Sequence, residues 1–93
     1  MTFLIAIHKD PDSDYGVTVP DLPGCFSAGS TFAEALTMAK EAIELHLEGM
    51  LDDGQDIPTP TTDVEAFRND PIFDDAIWAL VDVDIDWRAP AVA

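Results

Sequence analysis

The sequence has 93 residues, of which 47% are hydrophobic, so it predicts one globular domain rather than a disordered chain. Nineteen acidic residues oppose four basic ones, which gives a formal net charge of −15. Because nucleic-acid binding takes most of its affinity from Lys and Arg at phosphates, this composition argues against direct nucleic-acid binding. The same charge attracts a basic protein, although acidity also serves solubility alone.

Cys25 is the only cysteine, which excludes an internal disulfide and a multi-cysteine metal site. The first ten residues have no basic segment and too short an apolar run for a secretory signal. No stretch of the sequence approaches the roughly 20 apolar residues of a membrane span. We therefore expect a cytoplasmic protein that does not contact a membrane.

Three short strands are predicted in the first third of the chain. Residues 2–8 are almost entirely apolar, as in a buried central strand, and an acidic loop follows them. Residues 15–20 alternate with period two, as in a strand with one buried face. Pro23 and Gly24 suit the central positions of a type II turn, so we assign them a structural role. Residues 25–28 then form a short third strand.

A long helix and a last strand follow. Thr31 and Glu34 form a T-x-x-E capping box, and apolar residues at helical spacing continue to about Asp52. Residues 63–69 predict a short helix. Residues 77–87 alternate again and predict a strand.

The predicted fold class is α+β, with the order β-β-β-α-β. A helical crossover usually returns the chain parallel to its starting strand. We therefore expect three antiparallel strands, a fourth parallel to the first, and the long helix on one face. We assign residues 1–88 to one domain and residues 89–93 to a loose tail. An exposed apolar sheet face or edge would favour a homodimer or homotetramer.

Aspartates of the last strand are the first candidates for chemistry. Asp82, Asp84 and Asp86 share one strand face and could hold a divalent cation, but a solvated strand end also collects aspartates. The strand order invites comparison with ribonuclease H, whose two-metal site needs a carboxylate in the first strand. Residues 3–7 contain none, which argues against nuclease activity.

Two further patterns are weak as sites. Residues 10–16 open like a calcium-binding loop, but Tyr15 stands where the turn needs glycine. Cys25 could act as a nucleophile with His8 or His46 as the base, but no spacing ties them together and no third group is evident. We therefore predict no metal, no cofactor and no catalytic residue.

Residues 15–36, YGVTVPDLPGCFSAGSTFAEAL, resemble the HicB family of antitoxins. The similarity continues through a long acidic-faced helix, DDG, I-P-x-P and a closing WALVDVDID, and so covers nearly the whole chain. It implies a partial ribonuclease H-like fold without nuclease activity and an oligomeric assembly. The implied partner is HicA, a small basic toxin that cleaves messenger RNA. Many members add a C-terminal DNA-binding domain, whereas this sequence shows no basic recognition element after its last strand.

The sequence therefore predicts a type II antitoxin that is not an enzyme and that occludes a basic, HicA-like ribonuclease. One candidate surface for the toxin comprises Asp10, Asp12, Asp14, Tyr15 and Asp21. The other comprises Asp82, Asp84 and Asp86. The alternative is an orphan homo-oligomeric module of the same fold, which binds a ligand or another partner and has no toxin.

Overall fold

Four strands and one long helix account for most of the regular structure of residues 1–85, the part of the chain that the computed structural model describes. The bounds are β1 (Thr2–His8), β2 (Tyr15–Thr18), β3 (Phe26–Gly29), α1 (Phe32–Asp52) and β4 (Ile77–Asp82). The strands form one sheet in the order β3-β2-β1-β4. Every neighbouring pair in the sheet is antiparallel.

The expectation that the fourth strand runs parallel to the first is wrong, and with it that part of the ribonuclease H-like arrangement. β4 enters the sheet opposite Ile7 and leaves it opposite Thr2, so it runs against β1. The reason is the connector after α1. Residues 53–76 carry the chain back along the sheet before β4 begins, whereas the parallel prediction assumed that the helix itself made the return.

The helix covers one face of the sheet and forms the main core with it. Odd-numbered residues of β1 point to this face, together with Val17 of β2 and one stripe of α1. The fully buried side chains of this core include Phe3, Ile5, Ile7, Val19, Leu22, Ile43 and Leu47. These positions follow the periods of two and 3.6 that the sequence shows.

The connector covers part of the opposite face. Three aromatic rings meet there: Phe73 lies 5.3 Å from Trp78 and 6.0 Å from Phe67, and the Phe67 ring stacks on Trp78 at 6.4 Å between centroids. Trp78 lies opposite Ala6 on this face. In place of the predicted helix over residues 63–69, the connector contains two 3-10 turns, Val64–Ala66 and Pro71–Phe73. Aspartates at 63 and 70 cap these turns through their side chains.

Side-chain caps fix the start of α1, as the sequence predicts. The Thr31 hydroxyl accepts a hydrogen bond from the Glu34 amide at 3.0 Å, and the Glu34 carboxylate accepts one from the Ser30 amide at 3.0 Å. This is a capping box with one extra residue in the return bond.

Replacing Thr31 with Ala should lower the free energy of unfolding by about 1 kcal/mol, because the Glu34 amide loses its partner. Urea unfolding followed by circular dichroism measures the change. Thr37→Ala is the matched control, since the Thr37 hydroxyl only donates to the Ala33 carbonyl within the exposed helix. That control should be neutral or slightly stabilising. Equal losses in both variants would contradict the capping role.

Candidate partner-binding surface

The loop between β1 and β2, residues 9–14, is an exposed acidic hairpin. The Ser13 amide donates to the Asp10 carbonyl at 3.1 Å, and the Asp10 amide donates to the Ser13 hydroxyl at 2.9 Å. The Lys9 ammonium donates to the Ser13 carbonyl at 2.9 Å and to the Asp10 carbonyl at 3.1 Å. The loop is thus held by backbone groups, the Ser13 hydroxyl and the Lys9 ammonium, and its carboxylates are left to face solvent.

The carboxylates of the acidic hairpin form no ion pair within residues 1–85, and the Lys9 ammonium is bound to carbonyls of the loop instead. The ion pairs of this part of the chain involve Asp82, Asp84 and Glu65. Asp10, Asp12 and Asp14 are all exposed and belong to none of these pairs. Three carboxylates against the single ammonium of Lys9 leave the loop with a net negative charge and a local negative field in water.

Tyr15 joins the acidic hairpin to the start of α1. Its ring meets the Phe32 ring edge-on, with centroids 5.9 Å apart. The Lys9 ammonium lies 5.5 Å from the centre of the same ring, within the range of a cation–π contact. Tyr15 is half-buried, so it anchors the base of the hairpin and still presents part of its ring.

Asp21 does not lie with the acidic hairpin, although the sequence analysis grouped them. It follows the far end of β2, beyond Thr18, and is half-buried. Its carboxylate accepts a hydrogen bond from the Thr61 amide and so ties the connector to the sheet. No sequence signal could have revealed this contact, because the two residues are 40 positions apart.

The carboxylates at the end of β4 are engaged with cations. Asp82 accepts from the Met1 amino group at 3.2 Å, and this hydrogen bond and charge hold the pKa of the Asp82 carboxyl below its usual value. Asp84 pairs with Lys40 at 3.1 Å, and the hydrogen bond and charge of Asp84 raise the pKa of Lys40. The third member of this set, Asp86, lies outside the described residues.

The two candidate surfaces lie at opposite ends of the central strand. The acidic hairpin follows His8, whereas Asp82 is paired with Thr2 at the start of β1. Six residue steps of a strand separate these ends by about 20 Å. The two surfaces also differ in ion pairing. Among the described residues, Asp82 and Asp84 have cationic partners, whereas the carboxylates of the acidic hairpin have none.

The geometry does not support the other two sites that the sequence suggested, a metal site and a nucleophilic cysteine. Among residues 1–85, no three His, Cys, Asp or Glu side chains lie close enough together to hold a metal ion. Cys25 and His46 line the same shallow groove, but Cys25 is only 4% exposed and burial raises the pKa of its thiol. A protonated, buried thiol is a poor nucleophile.

Pro23 and Gly24 occupy a tight turn. Gly24 has a φ of 86°, and the Cys25 amide donates to the Leu22 carbonyl at 2.9 Å. These are the features of a type II turn with glycine at its third position. A second hydrogen bond, from the Leu22 amide to the Val19 carbonyl at 3.0 Å, closes another tight turn directly before the type II turn.

Fold and surface together define a small, acidic α+β domain whose main chemical feature is surface charge. None of the helices within residues 1–85 is long and apolar enough to cross a membrane. The chain belongs to the family described as HicB-like antitoxin of bacterial toxin-antitoxin system, whose sequence profile matches residues 3–91. The resemblance seen in the sequence is thereby confirmed.

Relatives and solved structures agree with this family. An uncharacterised 14.9 kDa protein from the rep-hol intergenic region of Haemophilus phage HP1 is 48% identical over 85 residues, which are 91% of this chain and 62% of the phage protein. The crystal structure of the Burkholderia pseudomallei antitoxin HicB shares 45% identity and superposes with a TM-score of 0.80, covering 91% of this chain and 64% of that one. The chain thus spans somewhat less than two thirds of these longer proteins.

A third similarity is to a complex. A chain in the HicA3 and HicB3 toxin-antitoxin complex is 32% identical to this protein and has a TM-score of 0.75. The match covers 91% of this chain and 100% of that one. A fold of this kind therefore occurs in a toxin-antitoxin assembly.

Proposed function

We propose that this chain is the antitoxin of a type II toxin-antitoxin system and that it occludes a small basic, HicA-like toxin that cleaves messenger RNA. The observation that carries the proposal is the acidic hairpin, whose exposed carboxylates form no ion pair within residues 1–85. Membership of the HicB-like antitoxin family and the similarity to a chain of the HicA3 and HicB3 complex support it.

The proposed mechanism is electrostatic and steric. A ribonuclease carries basic residues where it holds RNA phosphates, so an acidic surface can cover the same residues and exclude the RNA. Long-range attraction speeds the encounter, and close packing then blocks the active site. This chain performs no chemical step and needs no cofactor. Toxin and antitoxin would meet in the cytoplasm, where the messenger RNA lies.

Within this proposal, the acidic hairpin is the principal contact. Asp10, Asp12 and Asp14 have no ion pair to break among residues 1–85 when a toxin cation approaches, whereas Asp82 and Asp84 must first exchange a partner. Tyr15 places a partly exposed aromatic ring beside the hairpin. Asp82, Asp84 and Asp86 form a proposed second contact, and Asp21 acts through the connector that it holds.

The alternative is an orphan homo-oligomeric module without a toxin, binding a ligand or another partner. One observation favours it specifically: the chain carries a long uncharged segment at a sheet edge, which suits contact with a copy of itself better than contact with a basic protein. The two functions are compatible in geometry, so a partner experiment has to distinguish them.

The test starts with the purified, tagged chain as bait in an extract of its host at low salt, with elution at high salt. We expect a small basic protein in stoichiometric amount. That protein is then purified and its cleavage of messenger RNA is measured with increasing amounts of the antitoxin. Cleavage should stop at equimolar antitoxin. Undiminished cleavage in the presence of bound antitoxin, or recovery of the bait alone, would contradict the proposal.

A further inference from the structure

The acidic hairpin contains one cation beside three carboxylates, and that cation pairs with none of them. Asp10, Asp12 and Asp14 are exposed, and the ion pairs found within residues 1–85 include neither these carboxylates nor the Lys9 ammonium. A flexible lysine that is surrounded by carboxylates is drawn to them by charge. Its position away from them therefore has a local structural cause.

Lys9 joins the two ends of the turn within the loop. Its ammonium donates to the Asp10 carbonyl at 3.1 Å and to the Ser13 carbonyl at 2.9 Å. The same two residues close the turn, because the Ser13 amide donates to the Asp10 carbonyl at 3.1 Å. Hydrogen bonds from an ionised donor are stronger than those between neutral groups, so this one side chain adds two strong bonds across the turn.

The Tyr15 ring gives the Lys9 ammonium a third contact. The ammonium lies 5.5 Å from the centre of this ring, within the range of a cation–π contact. The ring itself meets Phe32, the first residue of α1, edge-on at 5.9 Å between centroids. Two carbonyls and one aromatic ring therefore compete with the carboxylates for the charge of Lys9, and they bind it in the folded loop.

The carboxylates contribute no bond that would hold the loop. Within residues 1–85, those of Asp10, Asp12 and Asp14 accept no hydrogen bond, and three like charges within five residues repel each other. The side-chain bonds that oppose this repulsion come from Lys9 and from Ser13, whose hydroxyl accepts from the Asp10 amide at 2.9 Å and donates to the Asp14 carbonyl at 2.9 Å. Of these two residues, only Lys9 also reduces the net charge of the loop.

We propose that Lys9 is a positioning residue, which holds the acidic hairpin in one conformation and so presents its carboxylates together to a basic partner. This inference rests on the proposed function, because the partner that it serves is the basic toxin. Without Lys9, the loop exchanges among conformations that present the carboxylates in different directions. The apparent affinity then falls in proportion to the fraction of molecules that have the competent conformation.

The proposal predicts an effect of opposite sign to that of charge alone. Lys9→Met removes a positive charge from the partner-binding surface, so long-range attraction by itself would make a basic toxin associate faster. If Lys9 positions the loop, association slows, by about 3- to 10-fold, because fewer molecules are competent at the moment of encounter. The slowing should persist at high salt, since salt screens long-range attraction but does not replace the missing hydrogen bonds.

NMR relaxation of the free, ¹⁵N-labelled chain tests the first part of the proposal. In the wild type, the amides of residues 10 and 12–14 should show heteronuclear NOE values close to those of β1 and β2. In Lys9→Met these values should fall in the loop and stay unchanged in the sheet and in α1. Arg68→Gln is the matched control, because it removes one positive charge from the connector, outside both candidate surfaces. It should leave the loop amides as they are in the wild type.

Stopped-flow mixing with the basic protein recovered on the tagged chain tests the second part. Lys9→Met should associate more slowly than the wild type at every salt concentration, and Arg68→Gln should associate at least as fast as the wild type. A loop that stays equally ordered in Lys9→Met would overturn the proposal, and so would unchanged or faster association of that variant. Failure to recover any basic protein would instead contradict the proposed function, and the relaxation data of the free chain would still decide whether Lys9 orders the hairpin.

Discussion

Changing Asp10, Asp12 and Asp14 together to Asn should slow association with the basic toxin about 10- to 100-fold at low salt. The reason is that these carboxylates have no ion partner in the described part of the chain and supply the local field that steers the encounter. The folded hairpin should persist, because its hydrogen bonds use the Ser13 hydroxyl and backbone groups rather than these carboxylates. Stopped-flow mixing at several salt concentrations measures the rate.

The salt dependence is the sharper part of this result. The association rate of the wild-type chain should fall steeply as salt increases, and that of the triple variant should fall much less. The matched control replaces Asp52, Asp53 and Asp56 with Asn, which changes the net charge equally with exposed residues at the other end of α1. Equal slowing in the control would assign the effect to overall charge, and the hairpin would lose its proposed role.

Gly29→Ala should lower the free energy of unfolding by about 3 kcal/mol. Gly29 is buried at the end of β3, where the first turn of α1 packs directly on the strand. A Cβ atom at this position would lie 2.7 Å from the Ala35 Cα and 2.7 Å from the Glu34 carbonyl carbon. Both are backbone atoms, so the helix itself has to move. Urea unfolding at fixed protein concentration gives the change.

Gly16→Ala is the control for this substitution. Gly16 lies in the neighbouring strand, and its added Cβ would come no nearer than 3.8 Å to the His8 carbonyl oxygen, an ordinary contact. That variant should change stability by less than about 1 kcal/mol, with a small gain from the lower entropy of the unfolded chain. A similar loss in both variants would mean that strand glycines in general, rather than the close approach of α1, set the stability.

Local signals in the sequence predicted the first half of the fold well. The period-two pattern of residues 15–20, the turn at Pro23 and Gly24, and the cap at Thr31 each depend on residues a few positions apart. The direction of β4 could not be predicted in the same way. It depends on where the connector, residues 53–76, returns the chain, and the aromatic contacts that hold the connector join residues without any periodic pattern.

For the candidate site too, the sequence predicted local patterns and did not predict contacts between distant residues. The run of aspartates in the hairpin is visible in the sequence, and the structure adds that Lys9 is occupied with backbone carbonyls. The pairing of Asp84 with Lys40 and the tether from Asp21 to Thr61 join residues at least 40 positions apart, so the sequence could not separate engaged carboxylates from available ones. The exposed apolar side chains of Met38 and Leu45 were missed because they lie beside the buried stripe of α1 rather than within it.

The antiparallel course of β4 brings the chain out of the sheet at the end where it entered. The Val83 amide donates to the Met1 carbonyl at 2.7 Å, so the beginning of the chain and the exit from β4 lie side by side. The acidic hairpin lies at the other end of β1, about 20 Å away. A fluorescent protein or surface anchor joined at the first residue is thus held away from the hairpin, and immobilisation through it leaves the proposed principal toxin contact facing solution.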